Sequence, residues 1–513
     1  MERFVYLVGG FAGSRTLWRC RRAFSGLTGV NFLNTPETPD LIIRNARIVD
    51  GTGAAPVAGD IAVRDERIVA MGDLVKYSAG TEIDATGLAV SPGFIDVHTH
   101  DDRAVLVDPH MTCKVSQGVT TVVTGNCGIS LAPLNIEGPP PPPLDLLSKT
   151  SDGYFQDFGD YLGALDQDPA AVNVVAQVGH STLRAGVMDR FDRAATADEV
   201  RAMRQAMEAA LEAGAAGLST GLFYQPALDA PTEEIIELAR GLKAFGAIHT
   251  THMRDETDHI VESLEETLRI GVEADVPVVI SHHKCAGAAN HGRSVETLAI
   301  IDAAIRTQSL GLDAYPYVAG STVLDATRMM GASRTIVTWS VPHPEHSGRD
   351  LDEIAGDLNM SLKEAVEYLS PAGAIYFMMD EDDVRRILAY RHTMIGSDGL
   401  PHDEHPHPRL WGTFPRVLGH YARDIGLFSL EEAVRKMTSL SASRFGLTDR
   451  GVLRVGAFAD LVLFDPEKVI DTATFDKPVQ AAAGVNLVFV NGRTVWQGAD
   501  HTGVRPGKVL RRQ

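Results

Sequence analysis

Cysteine is scarce in this chain, with four among 513 residues. A disulfide scaffold would need many more, so the fold must rest on a packed core. The thiols are expected to be reduced, with one available as a ligand or reactive group. Basic residues are also in short supply. Lys and Arg number 47 against 67 Asp and Glu, a formal net charge of −20. An acidic body repels phosphate backbones, which argues against a nucleic-acid partner. No uncharged apolar run approaches the ~18 residues of a membrane span, so no membrane partner is expected. What remains is an ordinary globular composition, 44% apolar and 22% charged. The length suits a large barrel with an accessory domain. Nothing in the composition speaks to oligomeric state.

The first 36 residues depart from that balance. They hold five arginines (Arg3, Arg15, Arg19, Arg21 and Arg22), no lysine and a single acid, Glu2. An Arg-rich, acid-poor opening with Ser and Thr has the character of an organellar transit peptide, which makes the location cytoplasmic or mitochondrial. A start codon upstream of the native one would leave the same trace. A secretory peptide over Phe4 to Gly13 fits less well, because Arg15 and Arg19 follow the apolar run. Residues 1–39 are therefore set apart as an N-terminal extension.

Short strand-like runs occupy 40–91, punctuated by Asp50-Gly51 and Gly72-Asp73. Similar runs return over 446–513, where Val490-Asn491-Gly492-Arg493 is a tight-hairpin signal. Both ends are expected to build one small β-sandwich domain. Between them, over 92–445, eight apolar runs of four to eight residues alternate with amphipathic helices such as Thr196 to Glu212, Thr232 to Phe245 and Ile260 to Ala274. The runs are Gly93 to Val97, Val119 to Thr124, Val172 to Val178, Ala215 to Ser219, Ala247 to Thr251, Val276 to Ser281, Gly311 to Tyr315 and Thr393 to Gly396. Strand–helix alternation of this kind predicts an α/β fold, a (β/α)8 TIM barrel. The last two runs are separated by 316–392, too long for one crossover. An inserted lid subdomain is expected over about 318–380, with a helix at Ser361 to Tyr368.

Barrel enzymes build their sites at the C-terminal ends of the strands. Here those ends carry His98 and His100, Cys127, His252, His282 and Asp398. Taken singly, each has an ordinary structural explanation, such as a capping histidine, an inert thiol or a turn aspartate. Six candidate ligands at five strand ends point instead to one metal site. A thiolate with two imidazoles suits Zn²⁺, and three protein ligands leave a position for water. The tight ion is assigned to Cys127, His252 and His282. His98, His100 and Asp398 form a second, weaker metal site, and Asp398 is the candidate general base and acid.

Pro92-Gly-Phe-Ile-Asp-Val-His-Thr-His100 and Arg450-Gly-Val-Leu-Arg-Val-Gly-Ala-Phe-Ala-Asp-Leu-Val-Leu-Phe-Asp-Pro466 resemble signatures of the amidohydrolase superfamily. After the fourth run, Ser219-Thr-Gly-Leu-Phe-Tyr224 lacks the carboxylated lysine of most binuclear members. The cysteine in Gly125-Asn-Cys-Gly128 is similar to that of the N-acyl-D-amino-acid deacylase family, as are Thr251-His-Met-Arg-Asp-Glu256 and Ser281-His-His-Lys284. The likeness runs from about residue 40 to 512. It implies tight zinc on Cys127, His252 and His282, and Asp398 as catalytic acid/base with His98 and His100 nearby. It also implies a substrate-carboxylate clamp of Lys284, Tyr315 and Arg409, with Tyr224 and Ser321 in the same pocket. The activity so implied is zinc-dependent hydrolysis of N-acyl-D-amino acids. A cyclic-amide hydrolase of the hydantoinase or dihydroorotase sort is the alternative, disfavoured by the missing lysine. A non-catalytic scaffold would have shed ligands.

Overall fold

A computed structural model describes residues 38–512, Met330 excepted. The transit-peptide expectation for the Arg-rich opening falls outside the described residues. No described helix is long and apolar enough to cross a membrane.

Eight parallel strands close a barrel: Phe94–Asp96, Val119–Thr124, Asn173–Ala176 continuing as Val178–Gly179, Gly217–Gly221, Ile248–His252, Val278–Ile280, Leu310–Ala314 and Thr393–Ile395. Each falls on one of the eight apolar runs read from the sequence. Parallel strands covered on both faces are apolar throughout, which is why continuous runs marked them. Ile95, Val123, Val175, Ala216, Ile248, Val279 and Met394 meet inside the barrel, with Ala442 and Phe445 completing the cluster. Each fully buried aliphatic chain contributes roughly 1.5–3 kcal/mol. The interior is thus a packed plug rather than a channel, and it leaves only the strand ends free for chemistry.

The crossover helices obey their local signals. Ala197–Ala213 starts at a capping box, in which the Thr196 hydroxyl accepts from the Glu199 N–H and the Glu199 carboxylate accepts from the Thr196 N–H. Ile260–Ala274 spans the expected range. Thr232–Leu242 tightens into a 3-10 turn at Lys243–Phe245.

The two ends of the described chain share one nine-stranded sheet. Leu461–Phe464, from the C-terminal side, pairs antiparallel with Ala89–Pro92 from the N-terminal side. The sheet forks at Leu41–Ile48, whose first half pairs with Thr81–Asp84 and whose second half pairs with Ala89–Pro92. Ile43, Ile61, Val63, Leu461, Leu463 and Phe489 fill its core. Asn491 and Gly492 take positive φ in the hairpin between Val485–Val490 and Arg493–Gln497, as Asn-Gly turns do.

Between the seventh and eighth barrel strands lies a segment with its own sheet. Ala319–Val323, Ala372–Phe377 and Thr335–Ser340 pair antiparallel in that order, with Ala372–Phe377 central. Helices Leu351–Leu358 and Leu362–Leu369 pack on it around Val337, Ile354, Leu369 and Tyr376. The sequence had offered only a helix here. That helix is present with Ser361 as its cap, but the sheet is the larger feature.

Candidate functional site

The strand ends place the candidate ligands around one point. His98 and His100 follow the first strand, and Thr99 between them bridges to Gly399 after the eighth. The two histidines therefore lie just past the strand rather than on it. His252 closes the fifth strand. Cys127, His282 and Asp398 sit at turns with φ of 52°, 35° and 52°. A left-handed backbone at a non-glycine residue costs ~1–3 kcal/mol and collects at functional sites. Cys127 is aimed by its neighbours. A Cβ at Gly125 would lie 2.1 Å from the Gln177 carbonyl oxygen, so only glycine lets this loop pass the third strand.

Two donor groups result, each with its ligand atoms within 4.8 Å of one another: Cys127, His252 and His282; and His98, His100, Cys127 and Asp398. Cys127 belongs to both. Its Sγ lies 3.2 Å from His98 Nε2 and 3.4 Å from His282 Nε2. The Asp398 carboxylate is 3.2 Å from His100 Nε2 and 3.6 Å from His98 Nε2. All six residues are buried.

Electrostatics favour the ionised forms of Cys127 and Asp398, and hold His98, His100 and His282 toward protonation against the desolvation of burial. Burial opposes ionisation of the Cys127 thiol, yet the adjoining His98 and His282 imidazoles, with His100 and His252, hold it well below the usual thiol range. Burial likewise opposes the Asp398 carboxylate, but Arg409 and His282, with His100 and His98, hold it well below the usual carboxylate range. Buried Nδ1 atoms of His100 and His252 have no hydrogen-bond partner among the described residues. A thiolate, four imidazoles and a carboxylate, with ring nitrogens left over, fit a soft-to-borderline divalent ion such as Zn²⁺.

Carboxylates behind the ligands orient them. Glu256 Oε1 lies 3.0 Å from His282 Nδ1, and its Oε2 3.5 Å from His252 Nε2. Asp313 Oδ1 accepts from the His282 backbone N–H at 2.9 Å and lies 3.4 Å from His98 Nδ1. Such partners fix ring orientation and raise ligand basicity. Sequence reasoning gave neither residue a role. The only local signal was Glu256 four positions beyond His252, and Asp313 gave none.

A single cavity joins His100, Cys127, His252, His282 and Asp398 to the three residues expected of a carboxylate clamp, Lys284, Tyr315 and Arg409, and to Tyr224 and Ser321, expected in the same pocket. Arg409 Nη1 is 2.9 Å from Asp398 Oδ2, and its guanidinium lies over the Tyr315 ring. Lys284 Nζ lies 2.5 Å from Glu256 Oε2, so its charge is already partly matched. Tyr315 Oη, Ser321 Oγ and Arg409 Nε are buried with no hydrogen-bond partner among the described residues. Tyr224 Oη instead pairs with Thr322 Oγ1 at 3.0 Å. The inserted segment closes the cavity with Ser321, Thr322, Arg328, Tyr376 and Met378. The Arg328 guanidinium, also missed from sequence, lies 4.3 Å over the Phe223 ring and makes no ion pair among the described residues.

A model described as "Amidohydrolase family" matches residues 81–310 and 281–496. A D-aminoacylase of Alcaligenes xylosoxydans xylosoxydans is 60% identical over 473 residues, covering 92% of this chain and 98% of the relative. A crystal structure of D-aminoacylase superposes with a TM-score of 0.90 at 58% identity, over 92% of this chain and all of that one. An N-acyl-D-glutamate deacylase from Bordetella bronchiseptica, solved with zinc and a phosphonate mimic of the tetrahedral intermediate, superposes at 0.89 with 47% identity, over 93% of this chain and 100% of that one. A dihydropyrimidinase from Brevibacillus agri shares the fold alone, at 17% identity and a TM-score of 0.59.

Proposed function

The chain belongs to the amidohydrolase family, and from that premise we propose that it hydrolyses the amide bond of N-acyl-D-amino acids with zinc, releasing a carboxylate and a free D-amino acid. The observation that carries this reading is the thiolate-centred donor set beside an ionised Asp398, in a cavity lined with unspent donors.

Cys127, His252 and His282 hold the tight ion, and His98, His100 and Asp398 flank it. Zinc bound there supplies an acidified water and a positive charge beside the amide carbonyl. Asp398, held ionised by Arg409, accepts the proton of the attacking water and returns it to the departing nitrogen. The substrate α-carboxylate is received by the Arg409 fork, the Tyr315 and Ser321 hydroxyls and the Lys284 ammonium. Fixing that carboxylate while the carbonyl faces the ligands leaves one direction for the side chain, which gives the D-preference. Phe223, Tyr224, Tyr376 and Met378 line the side-chain region, with Arg328 among them. The substrate is a small molecule.

The cyclic-amide reading is not favoured, since Gly217–Gly221 of the fourth strand carries no lysine. The test is turnover of N-acetyl-D-methionine, N-acetyl-D-glutamate and N-acetyl-D-aspartate beside their L-forms and a hydantoin, with Asp398→Ala as control. D-selective hydrolysis that disappears in the variant is expected. Hydantoin opening without D-amide hydrolysis would overturn the assignment.

A further inference from the structure

The eight barrel strands are not joined equally. Each neighbouring pair from the first strand round to the eighth shares two or more registered residues. Where the eighth strand closes onto the first, the only registered strand pairing among the described residues is the isolated bridge Thr99 to Gly399. His98 and His100 stand on one side of this seam and Asp398 on the other. The thinnest ladder in the barrel thus separates groups whose spacing the chemistry depends on.

Side chains take over where the ladder is thin. Lys114, fully buried on the short helix Thr112–Val115, projects into the seam. Its Nζ donates to Asp96 Oδ2 at 2.8 Å and Ser397 Oγ at 2.9 Å, and lies 3.2 Å from Asp101 Oδ2. Two of the three ammonium protons thus have acceptors, and Asp101 adds an ion pair without a hydrogen bond. Asp96 Oδ1 accepts from the Ser397 backbone N–H at 2.8 Å and the His98 N–H at 3.4 Å. Ser397 Oγ in turn accepts from the Gly399 N–H at 3.3 Å, and the Asp398 N–H donates to the His98 carbonyl at 2.8 Å. The left-handed turn at Asp398 is therefore held at the residue before it and the residue after it, and both holds lead to Lys114.

We propose that Lys114 is a positioning residue for Asp398, fixing the distance between the eighth-strand carboxylate and the first-strand histidines by bridging Asp96, Asp101 and Ser397. It touches neither substrate nor metal ligand. Removing its charge leaves Asp96 and Asp101 buried without their shared counter-ion, and the carboxylates then separate and take the seam with them. Sub-ångström placement is what proton transfer to and from a substrate requires, so the loss falls on turnover rather than binding. The inference rests on Asp398 as the proton carrier.

The test compares Lys114→Met with Arg184→Met, both in the zinc-loaded full chain. Arg184 is equally buried and pairs with Glu234 on the barrel wall, so its loss gives a stability control remote from the seam. Hydrogen exchange over a peptide spanning 394–400 is read without substrate. Lys114→Met is expected to raise exchange there at least tenfold. It should also lower kcat about 10–100-fold, with KM and zinc content within threefold of wild type. Arg184→Met should leave both exchange and kcat unchanged below its melting transition. Unchanged exchange in Lys114→Met, or an equal fall of kcat in both variants, overturns the proposal. Should Lys114→Met not fold, Ser397→Ala cuts the same tether while keeping the ion pair, and wild-type exchange and kcat in that variant would equally overturn it. Absence of D-amide turnover in the wild type would count against the deacylase reading alone, and the exchange result would still decide the role of Lys114.

Discussion

The floor of the cavity is formed by barrel strand ends, whereas its roof is formed by a small sheet inserted between the seventh and eighth strands. Floor residues such as His98, Cys127, His282 and Asp398 are buried, several in strained turns, and each is braced by a further buried group. Roof residues Ser321, Thr322 and Arg328 are half-buried and hang from a sheet with a core of its own. The difference assigns the work. A floor braced by buried neighbours suits the proposed placing of a proton carrier beside a metal, and it tolerates little change. A roof with a separate core can alter its lining without disturbing the barrel, so the choice of side chain belongs there.

The floor is broken most completely by removing its shared ligand. Cys127→Ala should reduce bound zinc from one per chain to a trace, measured by metal analysis, and take activity below detection. A chelator should do the same to the wild type, with activity restored by added zinc. Asp398→Asn tests the floor without dismantling it. We expect zinc to stay bound while kcat falls about 10³-fold, the span of a lost general base. Arg409→Met probes the junction between floor and roof, since Arg409 touches Asp398 and also donates to the Ser321 carbonyl. Steady-state kinetics should show kcat/KM down roughly 10²-fold, as expected for a lost charge-assisted pair. An analogue with its α-carboxylate amidated should lose far less. Arg328→Leu removes a roof cation and its contact with the Phe223 ring, and should chiefly change the ranking of D-side chains. The ratio of acidic to neutral turnover should fall about tenfold, the scale of one exposed-to-half-buried charge contact.

The same division explains what could be read in advance. The barrel strands were legible because burial on both faces leaves short, Val- and Ile-rich runs such as Val278–Ile280 between helical segments. The six candidate ligands fall together because barrel register puts strand ends at one place. The roof sheet was not, because Ala319–Val323 and Thr335–Ser340 mix Gly, Ser and Thr with apolar residues and carry no clean alternation. Residues that act through distant partners were hidden for a different reason. Lys114 meets Ser397 across 283 positions and Asp313 meets His282 across 31, and no local pattern announces either pairing. Arg409 was legible as a cation but not as the partner of Asp398, which only the folded chain reveals.

The most direct measurement sets kcat/KM for N-acetyl-D-methionine and N-acetyl-D-glutamate side by side in zinc-loaded wild type, Asp398→Asn and Arg328→Leu. The account predicts that Asp398→Asn lowers both substrates by the same large factor, while Arg328→Leu shifts their ratio and spares the neutral one. A uniform loss in Arg328→Leu, or a changed ratio in Asp398→Asn, would contradict the separation of reaction from selectivity.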